Sequence, residues 1–132
     1  MAGIDEGRTG QPPQILLVDD DAQVLKYFES VLTDLGYSVT STTSGSAATG
    51  LLEARKFDLL ILDLSMPDTD GFEILQRVRT QMRDLKVLVI SGFMQGTLLK
   101  AAELVGAHAT LDKPSTPERL AQTVGKLLAR PA

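Results

Sequence analysis

Three short apolar runs constrain this chain most: Ile15-Leu16-Leu17-Val18, Leu59-Leu60-Ile61-Leu62 and Val87-Leu88-Val89-Ile90. Each is too short for a helix and has no polar residue alternating within it, as expected of strands covered on both faces. Between them the period changes. Val24, Leu25, Phe28, Val31, Leu32 and Leu35 fall on one helical stripe, which Gly36 closes as a left-handed C-terminal residue. Tyr37 to Thr40 is a short strand candidate, followed by a helix capped by Ser44 or Ser46 and carrying Ala47, Ala48, Leu51 and Leu52. Phe72, Leu75, Val78 and Met82 mark a third helix, and Leu98, Leu99, Ala102 and Val105 a thinner fourth stripe ending at Gly106. Ala107 to Leu111 is a weak last strand. Ser115 with Glu118 resembles a capping box for a final helix with Leu120, Val124, Leu127 and Leu128.

Five strand–helix pairs imply an α/β fold with a parallel sheet and helices on both faces. Right-handed crossovers leave few topologies, and a single flavodoxin-like (βα)5 domain with strand order 2-1-3-4-5 is the expected one. Residues 1–13, with the Pro12-Pro13 pair, read as a flexible lead-in, and residues 14–130 as the domain. The chain has 132 residues, enough for one such unit with a core but not for two ordinary domains.

Sites in open parallel sheets lie at the carboxyl ends of the strands. Asp19 and Asp20 follow the first strand, Asp63 the third, Ser91 the fourth and Lys113 the fifth. Clustered carboxylates repel unless a cation neutralises them, and oxygen donors without His or Cys suit Mg²⁺. Three aspartates (−3) balance Mg²⁺ and Lys113 (+3) before an anionic donor arrives. A carboxylate nucleophile, a metal clamp and an ammonium are the parts phosphoryl transfer needs.

ILLVDDD (15–21), LLILDLSMPDTDG (59–71), VLVISG (87–92) and LDKP (111–114) resemble, in order, the signature segments of response-regulator receiver domains (the CheY-like superfamily). The resemblance spans residues 14 to 129 or so. It implies that Asp63 is the phosphoacceptor, Asp20 a direct Mg²⁺ ligand, Asp19 a ligand acting largely through water, and Ser65 a donor through its backbone carbonyl. It further implies that Ser91 is the switch hydroxyl, that Lys113 pairs first with Asp63 and then with the phosphoryl group, and that Pro114 follows a cis peptide bond. The family position three before the lysine is often aromatic and here is Thr110; Ser115 stands where Phe is common. Phe93, two residues beyond Ser91, would shield a phosphoaspartate from water and lengthen its life.

By resemblance, the expected function is a two-component phosphorelay switch, not an enzyme acting on other substrates. Its partners would be a sensor histidine kinase or histidine phosphotransfer protein and a downstream protein, with a homodimer through the fourth and fifth helices as a further contact. A net charge of −4 without a basic cluster argues against direct nucleic-acid binding. The absence of cysteine, of a signal peptide and of any apolar run of about 20 residues points to a cytoplasmic protein with no membrane partner. An aspartate-nucleophile phosphatase would carry an acid where Ser65 stands, and a receiver-like module without phosphorylation would lack the acid pair, the acceptor or the lysine.

Blander roles fit other residues. Asp21 reads as a helix cap, and His108, the only histidine, as structural. Asp68-Thr69-Asp70-Gly71 reads as a loop and helix cap, since Met66 and Arg77 stand where an EF-hand loop requires carboxylates.

Overall fold

A computed structural model describes residues 11–66, 71–92 and 95–129, with only the backbone for residues 95–99. The elements alternate as β1 (Gln14–Val18), α1 (Ala22–Asp34), β2 (Ser38–Thr42), α2 (Gly45–Ala54), β3 (Leu59–Asp63), α3 (Gly71–Gln81), β4 (Lys86–Ser91), α4 (Gln95–Val105), β5 (Ala109–Asp112) and α5 (Pro117–Leu128). All strand pairs are parallel, in the order β2-β1-β3-β4-β5.

The uninterrupted apolar runs are explained by burial on both faces. Ile15, Leu17, Leu59, Ile61, Leu88, Ile90 and Leu111 pack with Leu25, Phe28 and Leu32 of α1 and Leu120 and Val124 of α5. Their strand neighbours Leu16, Val18, Leu60, Leu62, Val87 and Val89 face the other way, onto Ala48, Leu52, Ile74, Leu75, Val78 and Ala102 from α2, α3 and α4. Each fully buried Leu or Ile contributes about 1.5–3 kcal/mol, so neither face can be left open. β2, with Ser or Thr at four of its five positions, is half-buried throughout and forms the sheet edge beside β1.

Local chemistry sets the helix ends. The Asp21 carboxylate accepts hydrogen bonds from Gln23 N (2.9 Å) and Val24 N (3.4 Å), capping α1 as expected. Gly36, at φ +98°, terminates that helix in the left-handed region. Ser44 rather than Ser46 caps α2, its hydroxyl accepting from Ala47 N at 3.1 Å. α5 corrects the expected capping box: Thr116 is the cap, accepting from Arg119 N at 3.1 Å, with Pro117 at the first helical position. The Ser115 hydroxyl instead donates to Asp112 O at 2.6 Å, finishing the turn out of β5. β2 and β5 also begin later than their apolar residues suggest, at Ser38 and Ala109. Among the described residues, no helix is long and apolar enough to cross a membrane.

Candidate functional site

β1 and β3 are neighbours, yet their crossovers run to opposite sides of β1, so a crevice opens beyond their carboxyl ends. Asp19 and Asp20 leave β1 there, and Asp63 is the last residue of β3. One carboxylate oxygen from each of these residues lies within 4.8 Å of the other two. Asp19 is fully buried, Asp63 is 1% exposed, and Asp20 is open to solvent.

Each buried acid is held in place. Asp19 Oδ1 accepts from Asp21 N at 2.9 Å, and Asp63 Oδ1 accepts from Ser65 N at 2.8 Å. Their other oxygens converge on Lys113, whose Nζ lies 2.8 Å from Asp19 Oδ2 and 3.1 Å from Asp63 Oδ2. β4 and β5 deliver this lysine, with Lys113 N donating to Ser91 O at 3.1 Å. A Cβ on Gly92 would sit 3.1 Å from Lys113 Cβ, so the glycine gives the lysine stem its path. The Lys113-Pro114 peptide is cis.

The charges do not balance. Three carboxylates face one ammonium, leaving a residual −2 in a largely dry crevice. Burial raises the Asp19 pKa from 3.8 to about 6, the Asp63 charge adds to this, and the Lys113 ammonium opposes it. For Lys113, burial disfavours the ammonium, but the adjacent Asp19 and Asp63 carboxylates outweigh it and raise its pKa. Asp19 Oδ2 is ion-paired with this ammonium but has no hydrogen-bond partner. An under-coordinated buried oxygen beside two further carboxylates is a donor set for a hard divalent cation.

The structure thus brings together Asp19, Asp20, Asp63, Ser65, Ser91 and Lys113. Two contacts were not foreseen from sequence. Lys113 lies nearer to Asp19 than to Asp63, and the Ser65 hydroxyl, expected to contribute only a carbonyl, sits 3.0 Å from the hydroxyl of fully buried Ser91. No local pattern signals either one, since Ser65 and Ser91 are 26 positions apart. Thr110 is half-buried in β5. Phe93, and the loop residues Asp68, Thr69 and Asp70, lie outside the described residues, as does most of the N-terminal lead-in.

Two clefts flank these groups differently. One of about 350 Å³ adjoins the site between α1 and the turn after β5, lined by Val24, Tyr27, Phe28, Lys113 and Pro114. The other, about 430 Å³, lies at the opposite end of the strands against Leu52, Phe57, Met82 and Leu85, remote from the acids.

Residues 15–125 match the family described as the response regulator receiver domain. The chain is 34% identical over 115 residues to the alginate biosynthesis transcriptional regulatory protein AlgB of Pseudomonas aeruginosa, covering 87% of this chain and 26% of that protein. It is 30% identical over 116 residues to the response regulator SaeR of Staphylococcus aureus, covering 88% of this chain and 50% of SaeR. It therefore spans half or less of these regulators. Among solved structures, the Vibrio cholerae chemotaxis protein CheY4 superposes with a TM-score of 0.81 at 29% identity, covering 89% of this chain and 99% of that one. A response regulator receiver protein from Burkholderia phymatum gives 0.81 at 29% identity, covering 91% and 98%.

Proposed function

The chain belongs to the response regulator receiver domain family, and on that footing we propose that it is an Mg²⁺-dependent phosphoacceptor whose Asp63 takes a phosphoryl group from a phosphohistidine. The observation that carries this reading is the placing of Lys113 Nζ between Asp63 and Asp19, with the Asp20 carboxylate beside them.

An oxygen of Asp63 attacks phosphorus as the bond from phosphorus to the donor imidazole breaks, and the electron pair of that bond returns to the ring nitrogen. Lys113 faces the charge developing on the phosphoryl oxygens, a role that positioning and electrostatics can fill without further covalent chemistry. Asp20, exposed and without a protein ligand among its described contacts, is available as a direct metal ligand. Asp19, already engaged by Asp21 N and Lys113, would act largely through water, and the Ser65 carbonyl would complete the protein's share. Mg²⁺ held by these residues would supply positive charge to offset the negative charge that builds up during transfer. Ser91, at the end of β4, hydrogen-bonds a phosphoryl oxygen after transfer.

The output is a changed protein-contact surface. Of the described side chains of α4, only Ala102 is buried, while Leu104 is 89% exposed and Val105 37%. An exposed apolar surface at the carboxyl end of α4 suits an element that meets other proteins. Its exposed leucine suits contact with a downstream protein or a second copy through α4 and α5. The donor is a histidine kinase or histidine phosphotransfer protein, and the setting is cytoplasmic.

The test is intact mass after treatment with acetyl phosphate or a phosphohistidine donor. A single phosphoryl gain is expected with Mg²⁺, and none with chelator or in Asp63→Asn. Equal labelling of Asp63→Asn would refute the assignment.

A further inference from the structure

Ser65 holds the acceptor with its backbone and a second residue with its side chain. Its N–H donates to Asp63 Oδ1 at 2.8 Å, while its hydroxyl lies 3.0 Å from the Ser91 hydroxyl. The turn is fixed against β4 by Leu64 N donating to Ile90 O at 3.0 Å, so this reach is set by the sheet. Ser91 is fully buried, so the contacts of its hydroxyl, that to Ser65 among them, are made inside the protein.

We propose that the Ser65 hydroxyl is a latch on Ser91, stabilising the unphosphorylated arrangement through a hydrogen bond that must break when Ser91 turns to the phosphoryl group. This rests on the reading of Asp63 as acceptor and Ser91 as its responding hydroxyl. The resting pair is a neutral hydrogen bond, whereas a phosphoryl oxygen is anionic and accepts more strongly. The exchange is therefore downhill, and the latch subtracts from its drive. Ser65 is a positioning residue that sets how readily the phosphorylated state forms. Either hydroxyl can be the donor, because the latch requires only a bond that exists at rest and is lost on phosphorylation.

Ser65→Ala deletes the hydroxyl while keeping the backbone N–H and carbonyl. The measurement is the affinity of the Mg²⁺-loaded protein for beryllium trifluoride, a phosphoryl mimic that binds a carboxylate. Losing one neutral hydrogen bond from the resting state predicts about fivefold tighter binding in Ser65→Ala. Ser65→Thr, which retains a hydroxyl, should restore affinity close to that of the parent. In a Ser91→Ala background, Ser65→Ala should change nothing, a coupling that general loosening of the turn would not produce. Unchanged or weaker binding in Ser65→Ala overturns the latch, as does the same gain in the Ser91→Ala background. Failure of the parent to bind the mimic, with no phosphoryl gain at Asp63, would instead strike the underlying phosphoacceptor reading, and the latch with it.

Discussion

His108 shows how one side chain can tie stability to pH without touching the acidic site. Its Nδ1 accepts a hydrogen bond from Val87 N at 3.0 Å while the His108 backbone N–H donates to Val87 O at 2.9 Å, so the ring serves β4 as a structural acceptor. Burial lowers its pKa below 6.5, and the charges of Arg79 and Lys86 lower it further. As pH falls through 6.5 the unfolded chain takes up a proton that the folded protein still refuses, so this residue's contribution to stability declines. Replacing it by Asn, which offers an acceptor but does not titrate, should flatten the acid side of a urea-midpoint profile between about pH 7 and 5. The acidic crevice gives a second prediction at this scale. Its residual negative charge should make Mg²⁺ a stabilising ligand, worth about 2.7 kcal/mol at a hundredfold excess over Kd. Thermal melts in Mg²⁺ against chelator would measure this, and Asp20→Ala should abolish most of the difference.

Helix ends are decided by geometry that composition only brackets. Ser115, Thr116 and Glu118 together announce a start for α5, but two adjacent hydroxyls compete for the cap. Thr116 wins because Pro117 must occupy the first helical turn and Ser115 is drawn back to Asp112 O. Thr116→Ala should therefore cost about 1 kcal/mol in denaturant unfolding, and Ser115→Ala less. Gly71 opens α3 against the turn that follows Asp63. A Cβ there would lie 2.8 Å from Leu64 Cδ2 and 3.2 Å from Leu64 Cα. Gly71→Ala should thus disturb the segment between Asp63 and Ser65, slowing phosphoryl acceptance as well as lowering stability by about 1–3 kcal/mol. A stability loss with unchanged labelling rate would show the turn to be independent of the helix start.

For the molecule as a whole, the sheet is a wall between two cores. Leu16 and Leu17 are adjacent and both fully buried, but one packs toward α2 and α3 and the other toward α1 and α5. Leu16→Ala and Leu17→Ala should each destabilise by about 2–5 kcal/mol in urea unfolding. A sheet with one wet face would show that loss at only one of the two positions. The two-sided burial is also why so much was legible in sequence: continuous apolar runs such as Leu59 to Leu62 demand helices on both faces, and the polar residue ending each run marks the rim where a site can form. The strand order, the gathering of Asp19, Asp20, Asp63, Ser91 and Lys113, and the Asp21 cap all follow from periodicity, crossover handedness and short-range hydrogen bonding. Tertiary structure alone decided which of these groups touch. Strand register and the turn beyond β3 bring Lys113 closer to Asp19 than to Asp63 and bring Ser65 against Ser91. Such contacts depend on ångström-scale placement of side chains far apart in the chain, whereas an apolar pattern records only which face each residue must turn inward.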